Sequence, residues 1–342
     1  MIGGTRYHYG FSLDGKSIVS EWLYSFPLTT KRRTRVILFH RDSSESTEFH
    51  FGKSLKGENK QISRLARKNS LFLSAAAQNA HQQLSEIYTY ISKNIARRID
   101  TRQLGPALNE QLQQHFGQKS EYTDAAVNFL KAADIGISRM DFSRVPMEKK
   151  FVEMLTEMRG IIGKHFGQAA KVEVDADEEV LVELMHNGAG GASFPIKLQH
   201  ESAGTLSLLQ ILGPIVTKLQ QGGLIVMDEL NTTLHPLVSR EIIKLFSNKA
   251  TNPAGSQLLF STHDTNLLSG GILRRDQIWF AEKDESGSTH IYPMSDIRVR
   301  ATDNLERGYL AGKFGAIPFM GESILRIFRG PRKLVESTAI SE

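Results

Sequence analysis

The sequence predicts an α/β fold, in which N-terminal antiparallel β hairpins and a helical insertion precede a lobe of alternating strands and helices. The alternation is clearest in the last third, where the apolar runs LIVMDEL and QLLFSTHD are separated by a helix that opens at Pro236, a favoured first helical position. Such an alternation favours a parallel sheet covered on both faces. The hairpins are indicated by the Asp14-Gly15 turn between two runs of alternating apolar residues.

Changes in periodicity divide the chain into four segments. Residues 1–58 form the antiparallel β part, and residues 59–168 carry apolar residues at helical spacing, which predicts the helical insertion. Residues 169–325 return to strands and then alternate helix and strand, and residues 326–342 form a polar tail. Individual helices are expected to begin near Thr123, Met147 and Gly204 and again at NLLSGGIL, residues 266–273.

The composition is that of a globular protein and excludes several function classes. The 342 residues are 40% hydrophobic, and 42 Lys and Arg against 37 Asp and Glu give a formal net charge of +5. The absence of cysteine excludes disulfide scaffolds, thiolate metal sites and cysteine nucleophiles, and it fits a cytoplasmic protein. No apolar run approaches the roughly 18 residues of a membrane span, and the N-terminus lacks the apolar stretch of a signal peptide.

Two adjacent carboxylates end the first apolar strand of the last third. Ligands of open α/β sheets bind outside the carboxyl ends of the strands, which is where Asp228 and Glu229 are expected. There, Asp228 can hold Mg²⁺ directly or through water, and Glu229 can polarise an attacking water as a general base. A solvated strand end is the other interpretation, because so short a motif often occurs by chance.

Two further features favour a site that handles phosphate. The second apolar strand ends near His263, whose imidazole can contact a γ-phosphate or an attacking water, although a lone histidine more often has a structural role. Ser202 is a candidate N-cap of the Leu-rich helix, and the small residues from Ser202 to Gly204 leave backbone N–H groups open to an anion. An ordinary capped helix would have the same sequence.

In this order, the elements resemble the C-terminal half of an ABC-type ATPase head, which has a P-loop NTPase fold. The resemblance is to the SMC-like and OLD-like AAA ATPases of bacterial abortive-infection (phage-defence) systems, and it covers about residues 5–320. ESAGT resembles the signature loop of that family, LIVMDELNTTLHP its Walker B motif and D-loop, and STHD its histidine switch. The segment GYLAGKFGAIP is also similar to this group.

The resemblance implies roles for five residues. Asp228 would coordinate Mg²⁺, Glu229 would be the catalytic base, and His263 the switch residue. Ser202 and Gly204 would grip the γ-phosphate of ATP bound by a partner subunit. The implied cofactors are ATP and Mg²⁺, and the implied partners are a second copy in a head-to-head dimer and an effector protein.

Such an ATPase also needs a P-loop to cradle the phosphates. One segment, residues 10–17, matches G-x-x-x-x-G-K-[ST], but we expect a β hairpin there, because its flanks favour strands and its Phe11 and Leu13 are bulky. In the resembling family the P-loop precedes such hairpins, so we expect its lobe upstream of Met1 or on another chain. The sheet would then keep an edge and an apolar face that must be covered.

Three function classes therefore stay open. The first is an ATP-hydrolysing head that dimerises around nucleotide, and the second is a catalytically incomplete scaffold or regulatory module. The third is a DNA-binding SMC-like subunit, because basic residues cluster at 31–35, 96–98, 274–275 and 326–333. A metal site at His263-Asp264 or at His200-Glu201 lacks a further histidine at ligand spacing.

Overall fold

The computed structural model describes two compact units of the chain. The described residues are 1–28, 34–97, 106–133, 136–147, 152–154, 157, 178–231, 234–269, 271–300 and 303–317. The first unit comprises Met1–Asp228 and Lys249–Phe260, and the second comprises Glu229–Asn248 and Ser261–Glu342.

The first unit begins with an antiparallel sheet and three short helices. The strands lie in the order β1-β2-β3-β4 and are β1 (Thr5–Leu13), β2 (Ile18–Pro27), β3 (Val36–Asp42) and β4 (Phe49–Phe51). The helices are α1 (Asn59–Leu65), α2 (Phe72–Gln78) and α3 (Leu84–Asn94). Leu23 and Phe39 of the sheet and Phe72 of α2 are fully buried in one hydrophobic cluster. The structure thus confirms the predicted hairpins.

Buried polar groups join this sheet to α2. The Glu21 carboxylate accepts hydrogen bonds from the backbone N–H groups of Phe72 (2.6 Å) and Leu73 (3.0 Å) and from the Tyr9 hydroxyl (3.0 Å). Glu21 has no exposed surface. Two N–H groups of the first turn of α2, which a helix leaves without internal partners, are therefore satisfied by a side chain 51 residues away in the chain.

Burial raises the pKa of Glu21 above its ordinary value, and a pH dependence of stability follows. The folded state binds this proton more tightly than the unfolded state, so the stabilising contribution is complete at low pH. It is lost as the pH rises from the ordinary glutamate pKa through the raised one. In the variant Glu21→Gln, residue 21 has no titrating group. Between about pH 4 and 7, we therefore expect its free energy of unfolding, measured with urea, to fall less with rising pH than that of wild type. Parallel pH profiles for the two proteins would contradict this.

The rest of the first unit combines a short parallel sheet, an antiparallel sheet and longer helices. In chain order, the elements are β5 (Ile95–Arg97), α4 (Pro106–Phe116), α5 (Glu121–Ala132), β6 (Ile137–Pro146), β7 (Glu178–Asn187), β8 (Ser193–Lys197), α6 (Ala203–Gln221), β9 (Leu224–Met227) and β10 (Gln257–Phe260). The antiparallel sheet has the order β6-β7-β8, and the parallel sheet has the order β10-β9-β5. The Leu-rich helix α6 is buried along most of its length, as its sequence predicts.

The parallel sheet is buried on one face only, so the prediction of a sheet covered on both faces is wrong for the described residues. Ile225 and Met227 of β9 are 1% and 3% exposed, whereas Leu259 of β10 is 59% exposed and Ile95 of β5 is 45% exposed. Ile95 pairs with Leu224 and Leu259 pairs with Val226, and since Leu224 and Val226 are two apart on β9, these side chains share a face. An apolar run predicts a strand, but the exposure of its side chains depends on which elements pack on each face of the sheet.

The second unit contains α7 (Pro236–Ser247), an antiparallel hairpin of β11 (Trp279–Lys283) and β12 (Thr289–Pro293), and α8 (Leu305–Leu310). One hydrophobic cluster of this unit consists of Ile278, Phe280, Met294 and Phe314. The helix predicted at Pro236 is confirmed, with His235 as its N-cap. The helix predicted at residues 266–273 is replaced by a single 3₁₀ turn, Thr265–Leu268.

Two strands, β5 and β6, lie inside the span predicted as a helical insertion, residues 59–168. β5 has only three residues, which is too short to show a strand period. Three predictions fall on or run into residues outside the described ones. They are the helix near Met147, the strand residues 170–177 and the polar tail 326–342. Among the described helices, none is both long and apolar enough to cross a membrane.

Candidate functional site

The parallel strands β9 and β10 end at paired residues. Met227 pairs with Phe260, and Asp228 follows Met227 directly in the chain. Asp228 is exposed and is the last residue of the first unit in this part of the chain. It lies at the carboxyl end of a parallel strand, as predicted.

Glu229, the first residue of the second unit, has an unusual backbone conformation. Its φ is 50°, in the left-handed region that residues with a side chain rarely adopt. The Glu229 N–H donates to the Ser261 hydroxyl (2.8 Å), and the Leu230 N–H donates to the Ser261 carbonyl (3.1 Å). Ser261 therefore fixes the backbone at Glu229, whose side chain is exposed. Backbone strain of this kind is concentrated at functional sites.

Asn231 links the Glu229 segment to His263 within the second unit. The Asp264 N–H donates to the Thr262 hydroxyl (3.0 Å), which donates in turn to the Asn231 side-chain oxygen (2.7 Å). The Asn231 amide nitrogen, 3.2 Å from His263 Nε2, is then the donor, so Nε2 is the acceptor and the proton lies on Nδ1. Where this exposed imidazole is neutral, the arrangement therefore favours the Nδ1–H tautomer.

Ser202 caps α6, as its position in the sequence predicts. Its hydroxyl oxygen accepts a hydrogen bond from the Thr205 N–H (3.1 Å) and lies 2.9 Å from the Thr205 hydroxyl. Among the described residues, the N–H groups of Ala203 and Gly204 have no hydrogen-bond partner. Ser202, Ala203 and Gly204 are all exposed. An exposed helix N-terminus with open N–H groups is suited to an anion such as a phosphate.

The segment that matches the P-loop pattern is a β hairpin. β1 extends through Leu13 and pairs with β2, so residues 10–17 open no helix. The Asp14 carboxylate accepts the N–H groups of Lys16 (2.9 Å) and Ser17 (2.7 Å), and these hydrogen bonds lower the pKa of Asp14. Because a carboxylate of the turn itself occupies these N–H groups, they are not available to cradle a phosphate.

The basic clusters receive little support as a nucleic-acid surface. Arg274 pairs with Asp276, and Arg275 donates to the backbone carbonyls of Val299 (3.1 Å) and Arg300 (3.2 Å). The clusters at 31–35 and 96–98 lie partly, and the cluster at 326–333 wholly, outside the described residues.

A metal site made of protein side chains alone is not found in the described part of the chain, where no three His, Asp or Glu side chains group together. Glu201, one of the alternative metal ligands, instead pairs with His186. This is compatible with a Mg²⁺ ion held by one or two carboxylates and the phosphates of its substrate.

Comparison with known protein families gives a match that extends over residues 1–269 and carries the description "AAA domain, putative AbiEii toxin, Type IV TA system". The chain belongs to this AAA domain family. The AAA family has the α/β fold of P-loop NTPases and is a family of nucleotide-binding ATPases, and its description places it in a toxin–antitoxin context. Among curated proteins, none matches the chain.

The match of the AAA family includes each candidate residue of the two units, from Ser202 to His263. Analysis of the sequence located the two carboxylates, the histidine and the capped helix, but it missed Asn231 and Ser261. Both act through partners about 30 residues away in the chain, and only the pairing of β9 with β10 makes those partners predictable.

Because the backbone at Glu229 is left-handed, glycine is expected to be more stable than alanine at this position, the reverse of the order in a helix. We expect Glu229→Gly to unfold with a free energy about 1 kcal/mol higher than Glu229→Ala, because both variants lose the side chain and only alanine keeps a Cβ at φ 50°. Denaturation followed by Trp279 fluorescence, with Trp22 replaced by Phe, reports on the second unit. At Glu241 in α7 the same pair of variants should show the opposite order, since alanine is the better helix former. A higher stability of alanine at both positions would exclude strain at Glu229.

Proposed function

We propose that the chain is an ABC-type head that binds Mg²⁺-ATP, dimerises head to head around the nucleotide, and controls an effector in phage defence. The observation that carries the proposal is the strand-end carboxylate pair, in which Glu229 is held in a strained conformation by Ser261 and is followed by Asn231, which contacts His263. Membership of the AAA family supports nucleotide binding, and its toxin–antitoxin context supports an interacting partner.

The residues of the strand end fit the chemistry of ATP hydrolysis. Asp228 is exposed at the end of β9 and would hold Mg²⁺, which supplies charge neutralisation at the phosphates. Glu229 would take the proton of the attacking water. His263, with Nδ1 protonated, can donate a hydrogen bond to a phosphate oxygen or to the water.

Ser202 and Gly204 are assigned to the nucleotide of the opposite head. The first turn of α6 is exposed and offers the Ala203 and Gly204 N–H groups and the Ser202 hydroxyl. Contact with a phosphate carried by a second copy would make dimerisation depend on nucleotide.

An alternative proposal is a catalytically incomplete head that acts as a scaffold or regulatory module. It is favoured by the hairpin at residues 10–17, since no other segment of the sequence matches the P-loop pattern that would hold the phosphates. The exposed Leu259 and Ile95 side chains on one face of the parallel sheet fit a module that is completed by a partner.

Mg²⁺-ATP turnover of the purified chain, measured over a wide range of protein concentrations, tests the proposal. Turnover per chain is expected to rise with protein concentration, because each complete site needs two heads, and to vanish when EDTA removes Mg²⁺. Absence of both turnover and ATP binding would reject hydrolysis by this chain alone and would favour the incomplete head.

A further inference from the structure

A partly buried His–Glu pair lies directly before the capped turn of α6. His186 Nε2 and Glu201 Oε1 are 2.6 Å apart, and the side chains of His186 and Glu201 are only 14% and 6% exposed. The Phe194 ring on β8 stacks over the imidazole, with 6.2 Å between ring centroids and 23° between planes. The pair joins the end of β7 to the residue that precedes Ser202.

The position of Glu201 is unfavourable for a phosphate site unless its charge is restrained. A carboxylate beside a helix N-terminus is attracted to open N–H groups and to the positive end of the helix dipole. Here those groups are the N–H groups of Ala203 and Gly204, two and three residues away. An unrestrained Glu201 carboxylate would therefore compete with an anionic ligand for the same donors and would repel it.

We propose that His186 is a positioning residue that holds the Glu201 carboxylate inward and so keeps the first turn of α6 open to a nucleotide phosphate. The assignment of that phosphate rests on the proposed function, whereas the restraint on Glu201 rests on the hydrogen bond and burial alone. Because His186 is on β7, the pair also ties the Ser202 turn to the β6-β7-β8 sheet.

Hydrogen exchange of the protein without nucleotide tests the restraint. In His186→Leu, the released carboxylate should bond the Ala203 and Gly204 N–H groups and slow their exchange about tenfold, which corresponds to one ordinary hydrogen bond. Glu201→Gln in the same background should restore wild-type exchange. A loss of local structure would do the opposite and accelerate exchange, so unchanged or faster exchange in His186→Leu overturns the proposal.

A matched control and a conservative variant accompany this measurement. His115 is also largely buried and hydrogen-bonded to α6, through Thr217 (2.7 Å), but it lies several turns from Ser202. His115→Leu should leave exchange at Ala203 and Gly204 unchanged. His186→Gln keeps an N–H donor for Glu201 and should resemble wild type, so it serves as the reference if His186→Leu fails to fold.

The KM and kcat for Mg²⁺-ATP test whether His186 also affects nucleotide binding at the first turn of α6. We expect the KM of His186→Leu to rise at least tenfold with little change in kcat, and the double variant with Glu201→Gln to return to within about threefold of wild type. A double variant as impaired as the single one would reject the role of the carboxylate. If wild type shows no response to Mg²⁺-ATP, the proposed function fails, and the exchange experiment still decides the role of His186.

Discussion

Glu229→Gln is expected to lower Mg²⁺-ATP turnover by about 10²- to 10⁴-fold, the usual contribution of a general base. Glutamine has the same shape but cannot accept the proton of the attacking water. It also keeps the Cβ, so the backbone conformation and the hydrogen bond from residue 229 to Ser261 are retained. Nucleotide-bound dimers should therefore still form and should accumulate, which size-exclusion chromatography with Mg²⁺-ATP can measure.

Asp228→Asn is the matched control for this variant. It also replaces an exposed carboxylate by its amide, but at the residue assigned to Mg²⁺. Both turnover and nucleotide-dependent dimers should be lost, because the ion no longer links the head to the phosphates. Wild-type turnover in Glu229→Gln would refute the role of Glu229 as base. If the two variants lose turnover and dimers to the same extent, the assignment of one residue as base and the other as metal ligand is refuted.

Arg41→Leu is expected to destabilise the first unit by about 3 kcal/mol, because it removes hydrogen bonds made by a buried charged group, each of which contributes about 1.5–3 kcal/mol. Arg41 is 1% exposed, and its guanidinium donates to Glu48 (2.7 Å) and to the Ser70 carbonyl (2.7 Å). It also lies over the Phe49 ring, 5.0 Å from the centroid. Leucine leaves the partly buried Ser70 carbonyl without this donor. Urea unfolding followed by Trp22 fluorescence in a Trp279→Phe background measures the loss.

Two comparisons distinguish the loss of buried contacts from a general effect of removing arginine. Arg274 pairs with Asp276 on the surface of the second unit, with side chains 71% and 61% exposed, so Arg274→Leu should leave the free energy of unfolding nearly unchanged. Glu48→Leu alone should cost less than Arg41→Leu, since the Glu48 side chain is 40% exposed and Arg41 keeps its hydrogen bond to the Ser70 carbonyl. Equal losses for Arg41→Leu and Arg274→Leu would show that the buried contacts contribute little.

Features that depend on neighbouring residues were predictable from the sequence. The Asp14-Gly15 hairpin is fixed by hydrogen bonds from N–H groups two and three residues beyond Asp14. The start of α6 is fixed by Ser202 and Thr205, three residues apart. In both cases, the residues that determine the local structure lie within one turn of the chain.

Features that depend on distant contacts were not predictable. β5 is a strand because it pairs with β9, about 130 residues later in the chain, and its three residues carry no periodicity of their own. In the candidate site, Asp228, Glu229 and His263 follow apolar strands and could be located, whereas the link through Asn231 depends on strand pairing. The His186–Glu201 pair was missed for the same reason, since 15 residues and a strand separate its members.

The Asp14 turn has a consequence for genetic tests of this protein. Replacing the lysine of a G-x-x-x-x-G-K-[ST] match by alanine is the usual way to make an inactive allele of an ATPase, and here that lysine is Lys16. Its exposed side chain is in a turn whose N–H groups bind Asp14, so the alanine allele should have an unaltered phenotype. A genetic assay that used it as the inactive allele would wrongly conclude that nucleotide is dispensable, whereas an allele of Glu229, the proposed base, tests that role directly.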